Sequence, residues 1–369
     1  MKITFIMNVR MPTEKAHGYQ IAKMCEAFAL KHCNVSLIVP MRKNNIHEDV
    51  FSYYGVRNNF SIKYIPTFDA IAFFNGSRAG FYLQAVSFLW ALRRKSISRD
   101  EIIITRNPEI IWRYGRKGYR VFYDAHNFPT RGVWFLKRLL KNVVGIIANS
   151  NGTAETFRRA GFTNVLVVPN AVDLAEFNLT KKCERNALGL SEGHIAMYVG
   201  HLYEWKGVRV VIDVARQSNE KDLTFVFVGG TDSDLERYRS ETRDTPNVIF
   251  LGHRLHKDVP ALIKSADVLL LPNIPSTQES ILYTSPIKMF EYMASGVPIV
   301  ASDLPSIKEV LNNKNAFLVK AGDSNELLRG IEQALSDESQ ERAIRAREDV
   351  KKYTWNARTQ KILMFIKHQ

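Results

Sequence analysis

The stretch that decides the fold is Ser285-Pro286-Ile287-Lys288-Met289-Phe290-Glu291-Tyr292-Met293-Ala294-Ser295-Gly296-Val297-Pro298-Ile299-Val300-Ala301-Ser302. Ser285 is a favoured N-cap residue, Pro286 suits the first helical position, and Gly296 can take the left-handed conformation that ends a helix. Between them the apolar residues recur at helical spacing, and residues 297–301 form a short apolar run typical of a buried strand. The stretch therefore predicts a helix of about three turns that leads directly into a strand.

Within this predicted helix, Glu291 lies one turn beyond Ile287 and shares its face. A carboxylate among apolar neighbours is costly to bury without a partner. The free amides at the start of the helix can hold an anion, and the carboxylate one turn further can accept hydrogen bonds from two hydroxyls, as from a ribose. The alternative is a surface helix whose glutamate faces water, and the spacing alone favours neither interpretation.

The stretch resembles the signature helix of glycosyltransferase family 4, whose members have the two-domain GT-B architecture, in the form Ser-Pro-x-Lys-x-Phe-Glu-Tyr-Met-Ala-x-Gly-x-Pro-Ile-Val-Ala-Ser. The family usually has Glu-x7-Glu, and Glu291 matches the second Glu, which holds the donor ribose. The first position is Tyr283, which is not acidic, and Glu279 is a candidate to replace it. The donor-binding residues that the resemblance implies here are Tyr283, Ser285, Ile287, Lys288 and Glu291.

The net charge of +14 is unevenly distributed along the 369 residues. Residues 1–170 hold 25 lysines and arginines against 10 acidic residues, whereas the rest of the chain holds 26 against 27. The basic half is therefore expected to meet an acidic membrane surface or a lipid-diphosphate acceptor. Nucleic acid is disfavoured because no recognition-helix, zinc-finger or RNA-binding motif accompanies the charge. The alternative is a merely solvated basic surface.

The sequence predicts a cytoplasmic protein. It has no run of about 18 uncharged apolar residues, so we expect no transmembrane helix. The apolar run at the start is too short for a signal peptide and predicts a first strand. Cys25, Cys33 and Cys183 have no metal-binding or redox spacing, so we expect free thiols in a reducing cytosol. The basic half suggests peripheral attachment to the inner face of the plasma membrane.

A strand, a loop, a helix at Tyr19–Leu30 and a second strand form a βαβ unit in the first 40 residues. The loop at residues 11–18 lies at the carboxyl end of the first strand, where open α/β sheets bind ligands. Gly18 would let the backbone approach a ligand closely. In family 4 this loop faces the donor diphosphate and the acceptor, and His17 and Gly18 match it loosely. No G-x-G-x-x-G occurs, which disfavours a nicotinamide or flavin site.

His126 follows the predicted strand Val121–Asp124. It matches a family 4 histidine that lies near the donor sugar and contacts the sugar or the leaving phosphate, and the alternative is an ordinary turn histidine. Two further segments have two interpretations each. Residues 66–100 and the basic amphipathic helix predicted at residues 131–142 are either core helices or segments that lie on anionic lipid.

The second domain is expected to open with the strand Ile195–Val199, followed by a glycine loop containing Lys206. A strand that runs into such a loop and then a helix suits a diphosphate. The family pattern is Gly-Arg-x4-Lys-Gly, in which Lys206 matches and His201 replaces the Arg, so half of that charge depends on protonation. Asp232-Ser233-Asp234 is better explained as a helix N-cap than as a metal site. GT-B enzymes generally need no metal, and we expect no cofactor.

The resemblance implies an α/β fold of the GT-B type, with two facing doubly wound parallel-sheet domains and an interdomain cleft. The expected domains are residues 1–177 on the acceptor side and 178–353 for the nucleotide sugar, with helix 354–369 packing back on the first. The implied activity is a retaining glycosyltransferase of hexosyltransferase type, which acts in surface polysaccharide or glycolipid assembly. The implied catalytic residues are His126, Lys206 and Glu291, and the donor-binding residues also include Gly18 and His201.

Two other classes of protein remain open at this point. Because Tyr283 and His201 depart from the family pattern, the chain could be a non-catalytic module that binds a nucleotide sugar. An epimerase or phosphorylase on the same architecture is the third class, and a phosphorylase would require a lysine that binds pyridoxal phosphate. The expected partners are a nucleoside diphosphate sugar, a lipid-linked or anionic glycan acceptor and an anionic membrane surface, with no nucleic acid.

Overall fold

The structure is a computed structural model that describes residues 1–74, 76–190, 192–218 and 222–369, apart from the side chain at position 338. The chain forms two units. The first contains residues 1–149, 153–168 and 358–369, and the second contains residues 150–152 and 169–357. Each unit is built on one parallel β-sheet, which confirms the predicted α/β class.

The first unit has a seven-stranded sheet in the order β3-β2-β1-β4-β5-β6-β7, and all its neighbouring strands are parallel. The strands are β1 (Lys2–Ile6), β2 (Asn34–Met41), β3 (Ser61–Pro66), β4 (Ile102–Thr105), β5 (Arg120–Ala125), β6 (Gly145–Ala148) and β7 (Val165–Val167). The helices are α1 (Ala16–Leu30), α2 (Val50–Tyr54), α3 (Ala70–Phe73), α4 (Arg78–Ala91), α5 (Pro108–Gly115), α6 (Val133–Leu139) and α7 (Asn151–Arg159), the last from Thr153 onward.

The second unit has a six-stranded parallel sheet in the order β10-β9-β8-β11-β12-β13. The strands are β8 (His194–Val199), β9 (Leu223–Val228), β10 (Val248–Gly252), β11 (Val268–Leu271), β12 (Ile299–Ser302) and β13 (Phe317–Val319). The helices are α8 (Leu174–Leu179), α9 (Val208–Gln217), α10 (Asp232–Glu241), α11 (Val259–Lys264), α12 (Ile287–Ser295), α13 (Pro305–Lys308), α14 (Ser324–Ala334) and α15 (Gln340–Asp349).

The sheet of the second unit is covered on both faces. Successive residues of a strand point to opposite faces. In β8, Ile195, Met197 and Val199 belong to one hydrophobic cluster, whereas Ala196 and Tyr198 belong to another. Two cores on one sheet are the mark of a doubly wound α/β fold and explain why β8 and β11 are nearly continuous apolar runs.

The boundary between the units lies after Val168, earlier than the predicted boundary after residue 177. Phe177 is buried in the core of the second unit, and the amide of Val172 donates to the carbonyl of Tyr353 there. The last helix, α16 (Trp355–Lys367), joins the first unit from residue 358 onward. Its Phe365 packs edge-on against Phe122 of β5 with ring centroids 5.9 Å apart.

Several predicted elements differ in detail from the structure. Strand β3 and helix α2 were not predicted from the sequence. Helix α6 spans Val133–Leu139 rather than the predicted residues 131–142, because Gly132 has a left-handed φ of 72° and the helix cannot begin before it. Within the described ranges, none of the helices has the length and hydropathy needed to cross a membrane.

Candidate functional site

Both sheets have a switch point, where the chain leaves two neighbouring strands in opposite directions. In the second unit the switch point lies between β8 and β11, and in the first unit it lies between β1 and β4. Open α/β sheets bind ligands beyond the carboxyl ends of their strands at such points. In the second unit, the segments that leave this edge are residues 200–207 after β8 and residues 272–286 after β11.

Lys206 ends a 3₁₀ turn, Glu204–Lys206, in the segment after β8. The amide of Ile274 donates to the carbonyl of Trp205 at 3.0 Å, which ties this turn to the segment after β11. Gly207 has a left-handed φ of 78°, and a Cβ there would collide with the carbonyl of Pro272. The glycine after the lysine is therefore required by the close approach of the two segments.

The ammonium of Lys206 is half-buried and lies 3.6 Å from the centroid of the Trp205 ring. Burial lowers the pKa of Lys206 to about 7, against the opposing effect of Glu279. In the same segment, the imidazole of His201 stacks on the Tyr203 ring at 5.1 Å. Lys206 is therefore a lysine whose charge depends on pH near neutrality.

Lys288 is the second lysine at this edge, in the first turn of α12 and only 8% exposed. Its Nζ lies 3.6 Å from the centroid of the Tyr198 ring and has no hydrogen-bond partner among the described residues. Burial lowers the pKa of Lys288 well below its usual range, and nearby Lys206 lowers it further, while Glu291 opposes this effect. Because each positive charge disfavours the other, an anion at this edge would stabilise both, which makes the two lysines candidates for an anion site.

A π-helical turn, Glu279–Tyr283, precedes α12. Such turns are rare and frequently occur at functional sites. Tyr283, at the position of the usual first family glutamate, is buried. Glu279 is half-buried, and burial raises the pKa of its carboxyl group, while Lys206 lowers it. The acidic group in this turn is therefore Glu279, which interacts electrostatically with Lys206.

The predicted cap of α12 is wrong in one respect. The helix begins at Ile287 with Pro286 at the N-cap position and no side-chain cap. The hydroxyl of Ser285 instead accepts a hydrogen bond from the amide of Asn170 at 3.0 Å, so it is engaged in the packing of residue 170. Gly296 ends the helix with a φ of 78°, as predicted.

Glu291 lies on α12 and is 5% exposed, as the interpretation of a buried carboxylate expects. Its Oε1 lies 2.8 Å from Nε2 of His256, a residue that the sequence analysis missed. The signal in the sequence is the position of His256 shortly after the apolar run of β10, beyond the carboxyl end of a parallel strand. The hydroxyl of Tyr292, the next residue, accepts a hydrogen bond from the amide of Val199 and holds α12 against the end of β8.

Asn273 is a further polar residue that the sequence analysis missed. It directly follows Pro272 and is fully buried, and neither polar atom of its amide has a hydrogen-bond partner among the described residues. The same holds for the hydroxyl of Ser280. Each such buried group costs about 1–3 kcal/mol when unsatisfied. With Lys288, they mark the segment after β11 as a place for a polar ligand or ordered water.

In the first unit, Asp124 at the end of β5 is the centre of a charged cluster. Its Oδ2 accepts from Nε of Arg106 at 2.8 Å and lies 3.1 Å from Nε2 of His126. Its Oδ1 accepts from Nη2 of Arg358 of α16 at 3.3 Å. Burial alone would raise the pKa of Asp124, but these three partners hold it well below its usual range. Arg106 also donates to Gln20 at 2.8 Å.

His126 is a neutral base in this cluster. Burial lowers the pKa of His126, and Arg106 and Arg358 act in the same direction, while Asp124 opposes them. Because ionised Asp124 can only accept a hydrogen bond, neutral His126 must carry its proton on Nε2, which makes Nδ1 the acceptor. His17 is likewise neutral, because burial and the charge of Arg106 lower its pKa to about 3.

The structure corrects the placement of Gly18 in a loop and shows a packing reason for the glycine. Helix α1 begins at Ala16, so His17 and Gly18 lie in its first turn and not in the preceding loop. A Cβ at position 18 would collide with the hydroxyl of Tyr54, which itself bonds to the amide and the carbonyl of Thr13. The glycine makes room for Tyr54. Its role in binding a donor stays a prediction without support from this packing.

Asp232 and Asp234 lie in the first turn of α10. Thr231 and Asp234 form a capping box, in which each side chain bonds the other residue's backbone amide. The interpretation as helix capping is confirmed, although the cap residue itself is Thr231. In the described part of the chain, His, Cys, Asp and Glu side chains form no group of three that could hold a metal.

Comparison with known proteins identifies the family. The family model described as "Glycosyltransferase Family 4" matches residues 18–176, and the one described as "Glycosyl transferases group 1" matches residues 193–337. The chain is 28% identical over 152 residues to the putative teichuronic acid biosynthesis glycosyltransferase TuaH of Bacillus subtilis, covering 41% of this chain and 37% of that protein. It is 28% identical over 231 residues to phosphatidyl-myo-inositol mannosyltransferase of Mycobacterium leprae, covering 60% and 59%.

The chain thus spans less than two thirds of the length of either curated relative. Among solved structures, Anabaena Alr3699/HepE in complex with UDP matches with a TM-score of 0.74 over the whole of both chains, at 16% identity. A likeness at this identity shows the fold alone, and that fold is two parallel-sheet α/β domains of the GT-B type. Because the two family models together cover most of the chain, this protein belongs to the family-4-like glycosyltransferases of GT-B architecture.

Proposed function

We propose that this protein is a retaining hexosyltransferase, which moves a sugar from a nucleoside diphosphate sugar to an acceptor hydroxyl in polysaccharide or glycolipid assembly. The observation that carries the proposal is the buried ammonium of Lys288, without a hydrogen-bond partner among the described residues, close to Lys206 at the carboxyl edge of the sheet. A diphosphate would bond both lysines. The names of the curated relatives and the UDP bound to the structural neighbour support this choice of substrates.

The proposed chemistry is electrostatic. As the bond between the anomeric carbon and the β-phosphate oxygen breaks, negative charge grows on the diphosphate. Lys206, Lys288 and the amides at the start of α12 stabilise that charge. His201 adds to this stabilisation of the diphosphate when its imidazole is protonated. We propose that these groups replace a metal ion, so that EDTA leaves the transfer rate unchanged.

The remaining steps follow from retention of configuration. The acceptor oxygen forms its bond to the anomeric carbon on the face that the diphosphate leaves, and the acceptor proton passes to the departing phosphate oxygen. No protein nucleophile is needed. Glu291 fixes the ribose, and for His126 we keep the role implied by the family resemblance, a contact to the donor sugar or leaving phosphate. Ser285 and Ile287 contribute through the backbone at the start of the helix.

The proposal is tested with a panel of UDP-, GDP- and ADP-sugars. We expect one donor to raise the thermal unfolding temperature and to be slowly hydrolysed in the absence of acceptor. Stabilisation by a nucleotide with no turnover of any donor, even with lipid acceptors supplied, would favour the non-catalytic binding module. An absence of any response would contradict both interpretations.

Glu291→Gln is expected to weaken binding of the nucleoside diphosphate selected by this panel about 10- to 100-fold, because hydrogen bonds to a charged group contribute about 1.5–3 kcal/mol. Calorimetric titration should use the diphosphate and its 2′,3′-dideoxy analogue. The wild-type protein should prefer the ribose form, and the variant should bind both about equally. Glu332→Gln, an exposed residue of α14, is the matched control. A variant that keeps the full ribose preference would exclude Glu291 as the ribose ligand.

We also propose that Glu279 supplies the carboxylate for the donor sugar that Tyr283 does not supply. Glu279→Gln is then expected to weaken binding of the intact nucleotide sugar about 10-fold, because one hydrogen bond to a charged group is lost. Binding of the nucleoside diphosphate should not weaken. Loss of the Glu279 charge also removes an effect that raises the pKa of Lys206, so the pH profile of transfer should move to lower pH. Glu204→Gln, an exposed residue two positions before Lys206, is the control. Equal weakening of both ligands would assign Glu279 to the diphosphate end instead.

For the basic first half of the chain we propose an anionic membrane surface as a partner, on the inner face of the plasma membrane, where a lipid-linked acceptor would be found. The excess of lysines and arginines over acidic residues in residues 1–170 supports this proposal.

A further inference from the structure

Helices α4, α5 and α6 form one layer on the sheet of the first unit. Their inward side chains share a hydrophobic cluster with the strands. The members of that cluster on the three helices are Phe88, Ala91, Ile110, Ile111, Tyr114 and Leu136. One side of each helix is therefore buried against the sheet, and the side chains on the opposite side point outward.

The outward side of the layer is apolar and aromatic. On α4, Tyr82, Val86 and Trp90 are spaced four residues apart, so they form one stripe, and they are 75%, 63% and 54% exposed. Trp112 of α5 and Trp134 of α6 are also exposed. Three of the chain's five tryptophans therefore face solvent on this one layer. Exposed apolar surface of this extent marks an interaction site.

The same surface is strongly basic. Arg93, Arg94 and Lys95 follow the stripe of α4. The guanidinium of Arg94 lies 4.6 Å from the centroid of the Trp90 ring, and that of Arg116 lies 4.9 Å from the Trp112 ring. The sequence has no acidic residue between positions 70 and 99 or between 125 and 154. Arginine paired with tryptophan suits a boundary where an apolar phase meets negative charge.

We propose that the outward side of α4, α5 and α6, here called the aromatic layer, docks on an anionic lipid bilayer. Rings at the helix surface would enter the headgroup region while the basic side chains contact lipid phosphates. Charge complementarity selects this partner, because one surface carries both many cations and exposed apolar rings. An interface with nucleic acid would not need the apolar stripe.

This inference deepens the proposed function, since it names the surface that would bring the enzyme to a lipid-linked acceptor. The sequence left residues 66–100 and 131–142 open as either core helices or segments on anionic lipid, and α4, which lies within the first of these segments, is proposed to make most of the contact. The observed α6 is short, and the stripe on α4 is the larger feature.

The test is sedimentation of the full chain with vesicles of phosphatidylcholine, alone or mixed with phosphatidylglycerol. We expect the protein to bind the mixed vesicles, and salt to weaken the binding. Combining Tyr82→Gln, Val86→Ser and Trp90→Gln should lower the partition coefficient about 10- to 100-fold, as the apolar contact is lost. Combining Arg93→Gln, Arg94→Gln and Lys95→Gln should lower it by a similar factor.

Matched controls are available in the second unit. Leu179→Gln with Ile344→Gln removes exposed apolar side chains there, and Lys314→Gln with Lys320→Gln removes exposed charges. Both pairs should leave binding unchanged. Thermal unfolding of each variant separates a loss of docking from a loss of folding.

Equal binding to neutral and anionic vesicles, or unchanged binding in both triple variants, would overturn the proposal. Binding to duplex or single-stranded nucleic acid that is lost in the same variants, without binding to vesicles, would do so as well. Failure of the proposed function looks different. A protein that docks on anionic vesicles and transfers no sugar refutes the transferase, whereas transfer to a water-soluble acceptor without docking refutes the aromatic layer.

Discussion

Lys206→Ala is expected to lower kcat for sugar transfer about 100- to 1,000-fold, with a smaller rise in the KM of the donor. The charge of Lys206 acts on the buried Lys288 and lowers its pKa. Removal of a single group that stabilises charge developing in the transition state typically has an effect of about this size. The effect falls on kcat because the charge on the diphosphate grows as the sugar leaves.

Lys206→Arg is the informative companion variant, because an arginine stays protonated at all relevant pH values. With a pKa of about 7, Lys206 is only about half protonated in the free protein at neutral pH. A bound diphosphate raises this pKa, so we expect donor binding to take up a fraction of a proton. Calorimetric titration in two buffers of different ionisation enthalpy measures that uptake. Lys206→Arg should reduce it, and Lys314→Ala, an exposed lysine, should preserve it.

A kcat for Lys206→Ala within about threefold of the wild-type value would mean that Lys288 and the helix amides suffice, and the assignment of Lys206 would be wrong. Unchanged proton uptake in Lys206→Arg would place the titrating group elsewhere. Lys288 is then the next candidate, since its pKa is also lowered.

Local sequence patterns predicted the parts of the fold that depend on local physics. The apolar run at residues 195–199 forms the buried part of β8, and Gly296 ends α12 because its φ of 78° suits a residue without a Cβ. The prediction that Ser285 caps α12 was wrong because its hydroxyl accepts a hydrogen bond from the amide of Asn170, a residue that is remote in sequence. When more than one amide can donate to a hydroxyl, the spacing of residues in the sequence does not show which of them does.

The candidate site residues also divide into features that depend on local sequence and features that depend on contacts remote in sequence. The position of Glu291 in its helix could be predicted, but its partner His256 could not, because that contact joins α12 to the segment after β10, which is remote in sequence. Gly18 had been explained by access for a ligand, whereas the structure explains it by the hydroxyl of Tyr54. The lowered pKa values of Lys206 and Lys288 depend on burial and on their mutual position, neither of which a sequence motif contains.

Asp124→Ala is expected to lower the free energy of unfolding by about 3–5 kcal/mol, the usual cost of removing one partner of a buried ion pair. Asp124 is buried between Arg106 and Arg358, and Arg358 is only 2% exposed. Without the carboxylate, the guanidinium of Arg358 loses the ion pair with Asp124 that offsets its burial. Urea unfolding of the full chain measures the change, with Asp213→Ala in an exposed ion pair as a control expected to change it by less than about 1 kcal/mol.

The interaction can be isolated with a second substitution. Arg358→Met removes the buried cation, so adding it to Asp124→Ala should restore part of the lost stability. If the decreases in the free energy of unfolding of the two single variants simply add in the double variant, the two residues are not coupled. The cost of Asp124→Ala would then come from packing alone.

The pH dependence gives an independent test of the same charge. The pKa of Asp124 is held below its value in the unfolded chain, so its stabilising effect is fully present above the unfolded pKa of about 3.9 and is lost as the pH falls through the folded value. The wild-type protein should therefore lose stability steeply below about pH 4, and Asp124→Asn, which cannot ionise, should lose it less steeply.

Asp124 also fixes the proton of His126 on Nε2. Asp124→Asn should therefore lower kcat even at neutral pH, because the variant loses the carboxylate charge and changes the tautomer of the histidine.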